Sequence, residues 1–248
     1  MGTKVVMMVG LVAAAACANV NARFDAGQRA FSTGAWQQCI DELQRFIQDA
    51  DCTSNPHCKQ ARIDVAECRL RLGEPTWAFF ELEAIRPPSE DPLRARIERL
   101  QKEAQTTLAS HMTSAAGEGT LTVRFMSRVR DWLRLDHARF FVDLHPLPTD
   151  NQPYVAGTTV LPVPPTSVAA GTHELEVVTV FAGHGTGVYS YLAGYKFTAR
   201  SAQKIVVAAG ATINVDVRVD ASDDLSVPIA DSFHLHIVVQ PPEAALSR

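Results

Sequence analysis

Long apolar runs are scarce in this chain. The longest, residues 5–16, is about a dozen residues, short of the roughly 20 that a membrane-crossing helix needs, and no later segment reaches that length. A basic excess is also missing. The 23 Lys and Arg stand against 27 Asp and Glu, a formal net charge of −4, which argues against the bulk electrostatics of a nucleic-acid-binding domain. No Gly-x-Ser-x-Gly elbow is present, so one common way of activating a serine is absent. Gly183-His184-Gly185-Thr186-Gly187 has the glycines of a phosphate loop but no Lys-Ser/Thr pair, and strand-like Val188-Tyr189-Ser190-Tyr191 follows where a helix is needed; it reads as a hairpin tip. Asp216, Asp220, Asp223 and Asp224 lack the glycine and terminal glutamate of a calcium loop and read as a solvated acidic stretch. No cofactor is expected.

The first residues point to export. One positive charge, Lys4, precedes the apolar run, and Val20-Asn21-Ala22 offers small side chains at −3 and −1. That is the layout of a signal peptide over residues 1–22. A second processing site competes: Ala14-Ala15-Ala16-Cys17 is close to a lipoprotein box, with Cys17 as the residue to be lipidated. The expected location is the periplasm or the outer-membrane side of the cell envelope, without a transmembrane span.

Only five cysteines occur. Without Cys17 four remain, an even count that suits disulfides in an oxidising compartment. If residues 36–50 and 57–72 are antiparallel helices, the hairpin centre lies near Asn55. Cys52 and Cys58 then flank the turn, and Cys39 and Cys68 sit level on facing helices. The nested pairing Cys39–Cys68 and Cys52–Cys58 follows, with a metal site or free core thiols as the competing readings.

Residues 22–110 have apolar side chains at three- and four-residue spacing, punctuated at Gly34, Asn55-Pro56, Gly73-Glu74-Pro75 and Pro87-Pro88. Small residues fill 113–119, which reads as a linker. Beyond it the period becomes two, in seven or so short strands without intervening helices. The expectation is an α+β chain: a helical-repeat bundle at 23–112, a linker at 113–119, an antiparallel β-sandwich at 120–241 and a tail at 242–248.

Two resemblances support this division. Gly27, Ala30, Gly34, Trp36, Cys39 and Leu43 fall at the offsets of a tetratricopeptide repeat. Ala66, Gly73, Ala78 and Leu82 repeat those offsets, with Pro75 in place of the aromatic. The resemblance implies a groove for a protein partner. In the second half, the string from Val168 through Gly171, His173 and Leu175 to Val177 resembles the core of PEGA-type β-domains. Gly194-Tyr195-Lys196-Phe197 resembles their Gly-Tyr step, and residues 205–217 their closing hairpin. The Pro-Glu-Gly-Ala signature itself is absent. Such domains imply binding or scaffolding rather than catalysis.

Three surface features are candidates for contact. His184, Tyr189, Tyr191 and Tyr195 form a ligand-binding edge suited to sugars or peptides. Arg124, Arg128, Arg130 and Arg134 form a patch for an anionic partner, diluted by Asp131 and Asp136. His234 and His236 share one face of a strand but are two ligands short of a metal site. The functional expectation is therefore a non-catalytic envelope protein that binds a protein partner. Carbohydrate or peptidoglycan binding through the β-domain is the alternative.

Overall fold

The computed structural model of the 248-residue chain describes residues 21–49, 52, 55–85, 91–149, 159–184, 192–222 and 232–240. Residues 1–20 of the expected leader, Cys17 included, together with Tyr189, Tyr191, Asp223 and Asp224, lie outside the described residues. Two compact units meet at the Ser110–His111 bond.

The first unit is helical: α1 (21–33), α2 (Trp36–Asp49), α3 (His57–Arg71), α4 (Pro75–Glu83) and α5 (Arg94–His111). Glycines end two of these. Gly34 and Gly73 take φ of 74° and 75°, the left-handed conformation that lets the last helical carbonyls be satisfied; Ala35 N–H bonds Ala30 O at 2.9 Å and Glu74 N–H bonds Arg69 O at 2.9 Å. Pro75 opens α4, where its missing N–H costs nothing. Ala30, Cys39, Ile40, Leu43, Phe46, Ala61, Val65 and Cys68 share one apolar cluster. Disulfides join Cys39 to Cys68, with Cα atoms 6.7 Å apart, and Cys52 to Cys58, 5.5 Å apart. Asp64, 1% exposed, is held by three donors from three helices: Gln28 Nε2 at 2.7 Å, Gln60 Nε2 at 2.8 Å and Arg96 Nη2 at 2.8 Å. A buried carboxylate is tolerable only with such compensation.

The tetratricopeptide-like bundle is not what these helices form. That stack needs one helix-pair unit recurring at a fixed period, but here the lengths are 14, 15, 9 and 18 residues from α2 to α5. Matching small residues and turn glycines at intervals gave the right helix ends and the wrong assembly. No helix among the described residues is long and apolar enough to cross a membrane.

The second unit carries β1 (Thr113–Arg128), β2 (Leu133–Val142), β3 (His145–Pro146), β4 (Thr159–Pro162), β5 (Thr166–Gly183), β6 (Lys196–Val207), β7 (Thr212–Ala221) and β8 (Phe233–Val239). These belong to one sheet with the order β3-β2-β5-β1-β7-β8; β4 adds to β1 and β6 to β5. The expected antiparallel sandwich is thus overturned twice. There is one sheet rather than two, and it is mixed, because β1 and β7 run parallel from Thr120↔Thr212 to Arg128↔Asp220. The reason lies in strand length. β1 and β5 run 16 and 18 residues, long enough to pair with different partners along their course. β5 meets β1 through residues 166–172 and β2 through 175–183 on the same side, with β6 on the other. The staggered sheet curls into a half-barrel. Its concave face collects Leu121, Val123, Phe125, Phe140, Leu175, Val177, Phe181, Val215 and Val217 in one cluster.

Residues 113–119 are not a linker. They are the start of β1, paired with β5 from Thr113↔Thr172 onward. The glycines that suggested flexibility have local tasks. Gly117 takes a φ of 102° at a register shift, and a Cβ on Gly119 would stand 2.7 Å from Ala208 O and 2.8 Å from Ala211 O.

Candidate functional site

One end of the half-barrel gathers several of the residues with functional potential. β2 starts there, opposite the end of β5 (Leu133↔Gly183), and β6 starts beside it (Lys196↔Ala182). β1 and β7 end there in parallel, and β8 begins opposite Ala221. Backbone bonds tie the end together: His184 N–H to Trp132 O at 2.7 Å, Gly183 N–H to Tyr195 O at 2.8 Å, and Ser222 N–H to Ser232 O at 2.7 Å. Arg130 lies 5.8 Å above the Trp132 ring and donates to Ser222 O at 3.0 Å. Phe233 stacks on Phe181 at 4.9 Å and on Phe197 at 5.9 Å, so the first residue of β8 closes onto β5 and β6. Tyr195 is 62% exposed.

Two polar details mark this end. Lys196 Nζ and the His137 ring each approach Asp136 Oδ2 at 3.0 Å. Partial burial pushes the Asp136 carboxyl upward, but the hydrogen bonds from Lys196 and His137 outweigh it and hold the group below its ordinary range. Ser127, fully buried on the concave side near the end of β1, has a hydroxyl with no hydrogen-bond partner among the described residues. An unsatisfied buried hydroxyl costs on the order of 1–3 kcal/mol.

The expected ligand edge is therefore partly assembled: His184 and Tyr195 come together with Trp132 and Arg130. The expected arginine patch is split. Arg130 turns to Trp132 and Ser222. Arg124 and Arg128 point outward from β1, and Arg134 is exposed on β2. Trp132's part in this end is a matter of tertiary contact, with no sequence signal beyond an aromatic among arginines.

A second cluster was not visible in the sequence. Asp143 and Leu144 form the two-residue turn between β2 and β3, with φ of 51° and 64°. Both central residues of such a tight hairpin need positive φ, normally supplied by Asn-Gly. Here polar groups of β5 force it. The Asp143 carboxylate accepts from Glu174 N–H at 2.9 Å and meets His173 Nδ1 at 2.6 Å. His173 Nε2 lies 2.8 Å from Ala169 O. Leu144 N–H donates to the Glu176 carboxyl, 3.2 Å from Oε1. Glu176 is fully buried. That burial, with the charges of Glu174 and Asp143, pushes its carboxyl up to about 9 against the opposing Leu144 hydrogen bond. Such shifts gather at functional sites, but here each group is spent on another, and the arrangement acts as an anchor for the turn. Asp143→Ala is expected to cost about 2–4 kcal/mol, from the orphaned His173 and Glu174 donors and a β-carbon in a left-handed turn without compensation. Urea unfolding of variant and parent checks this; equal midpoints would remove the anchoring role.

His234 and His236 share the outer face of β8, with ring centroids 6.5 Å apart. No group of three or more His, Cys, Asp or Glu among the described residues is placed to hold a metal ion.

No family model matches the chain, and no curated protein matches it; neither of the two resemblances therefore gains support from that side. Among solved structures, an (S)-allantoin synthase aligns with 80% of this chain and 77% of its own, at 13% identity and a TM-score of 0.23. A likeness that low carries no argument about fold or activity.

Proposed function

We propose that this chain is an exported, non-catalytic interaction module of the cell envelope that meets its partner at the end of the half-barrel around Arg130, Trp132, His184 and Tyr195. The observation that carries this reading is the assembly, at one end of one sheet, of an arginine-stacked tryptophan and a largely exposed tyrosine. Rigid aromatics with a polar handle are the residues that dominate binding energy at interfaces. Two disulfides and a leader-like start support export, because disulfides persist in oxidising compartments. The helical unit serves as a stapled companion in this reading, without the repeat groove that the sequence suggested.

A glycan or peptidoglycan strand is the second reading, favoured by the exposure of Tyr195, whose ring suits a sugar face. One experiment addresses both. The disulfide-bonded protein and its Trp132→Ala/Tyr195→Ala variant are titrated on purified peptidoglycan and cross-linked in intact envelopes. Loss of an aromatic anchor is expected to weaken binding by about tenfold or more. Loss of a specific cross-linked protein in the variant supports the protein partner; loss of saturable glycan retention supports the second reading. Identical behaviour of parent and variant in both assays would refute the site.

A further inference from the structure

The outer face of the half-barrel carries a surface that the chain order hides and the sheet register builds. Three rows cross it. In the first, Arg124 lies between Pro162 of β4 and Asp216 of β7, which in turn faces Val238 of β8. In the second, Met126 lies between Val160 and Arg218, followed by His236. In the third, Arg128 neighbours Asp220, followed by His234. All these positions alternate away from the buried Leu121, Val123, Phe125, Val215, Val217 and Val219, so they share one face.

The charges do not cancel. Three arginines meet two aspartates, and Asp216 is already engaged by Arg124 Nε at 2.7 Å and by Gln240 Nε2 at 2.6 Å. The Arg128 and Arg218 side chains have no hydrogen bond or ion pair among the described residues, while Arg218 lies near enough to Asp216 to help, behind Arg124, to keep that carboxyl ionised. His234 and His236 continue these rows on β8, opposite Asp220 and Arg218 of β7. Two large apolar side chains stand beside these cations in the open: Val160 is 63% exposed and Val238 52%.

We propose that the outer face of β4, β1, β7 and β8 docks on an anionic phospholipid surface, with Arg124, Arg128 and Arg218 against the phosphates and Val160 and Val238 at the headgroup boundary. Guanidinium forks match phosphate oxygens, and basic residues near an anionic leaflet each add to attraction that salt screens. The valines select a bilayer over a soluble polyanion. A dissolved polymer covers charge and leaves them wet, whereas the headgroup boundary removes apolar surface from water.

The test is co-sedimentation of the disulfide-bonded protein with vesicles of phosphatidylglycerol and phosphatidylcholine, with pure phosphatidylcholine vesicles as the reference for any binding by the apolar leader. Binding to the anionic vesicles is expected to exceed the reference, to fall with salt, and to drop by about tenfold or more in Arg128→Glu and in Arg218→Glu. Val160→Ser is expected to weaken vesicle binding while leaving retention on immobilised heparin unchanged. Equal binding to both vesicle types overturns the proposal. Heparin retention that needs the arginines, with vesicle binding indifferent to Val160, also overturns it and points to an acidic polymer. Trp132 and Tyr195 lie outside this face, so failure here leaves the reading of the half-barrel end untouched.

Discussion

Glu176→Gln is expected to raise stability, and to raise it more as the solution becomes more alkaline. The native carboxyl is fully buried and titrates near 9, while in the unfolded chain it titrates near its ordinary value of 4.5. A group whose folded pKa is raised binds its proton more tightly in the native state. Its stabilising contribution is complete below about pH 4.5 and drains away as pH climbs toward 9, at about 1.4 kcal/mol per pH unit. Over the whole interval the loss is about 6 kcal/mol. Glutamine carries no such titration. Its amide oxygen can still accept the Leu144 N–H, and its NH2 replaces the O–H of the neutral acid. The parent and variant curves of unfolding free energy against pH should therefore converge near pH 5 and separate progressively to pH 9. Urea titrations at about pH 5, 7 and 8.5 measure the separation. A constant gap across that range would mean that Glu176 is ionised in the native protein or solvated in a way that its burial contradicts. Glu174 is the larger of the two repelling charges, with Asp143 behind it, so Glu174→Gln should leave the onset of the separation in place and make it level off at a lower pH with a smaller final gap.

What could be read in the sequence follows the range of the forces involved. Alternation along β7, from Ile213 through Val215 and Val217 to Val219, is a local signal, and each of those residues is buried. Gly34 and Gly73 end helices for a reason confined to their own φ angles. The parallel pairing of β1 with β7 was not legible, because its partners lie about 90 positions apart and the strands between them make the crossover that parallel pairing requires. With no crossover helix in sight, antiparallel pairing was the natural expectation. Small residues at 113–119 looked like a linker because glycine has two causes, freedom and close approach; only the neighbouring Ala208 and Ala211 carbonyls decide for the second. The same limit hid both polar sites. Glu176 sits in the run Leu175-Glu176-Val177-Val178, and nothing local says whether its face is wet. The arginine patch was sought along the chain, 124 to 134, but register across four strands replaces Arg130 and Arg134 by Arg218, His234 and His236.

Removing the Cys39–Cys68 bridge should be the most damaging change to the helical unit. Both cysteines are fully buried, among Ile40, Leu43, Phe46 and Val65, and the bond closes a segment with a sequence separation of 29. Restricting the unfolded chain by a loop of that size contributes about 3–4 kcal/mol. Replacing both residues by alanine avoids a stray thiol and adds a small packing loss. The Cys52–Cys58 bridge spans a separation of only 6, which in the same treatment gives about 2 kcal/mol, and Cys52 is exposed. The two bonds should therefore differ in both energy and access. Under mild thiol reductant, Cys52 and Cys58 are expected to become alkylatable first, with helical circular dichroism nearly unchanged. Cys39 and Cys68 should react only as the unit unfolds, because a buried disulfide offers no path to an attacking thiolate. Mass spectrometry of alkylated peptides against reductant concentration, followed in parallel with the helical signal, separates the two steps. Simultaneous reduction of both bonds would mean that the unit opens globally before either bond is attacked, and that the outer bridge does not hold the helices as this geometry requires.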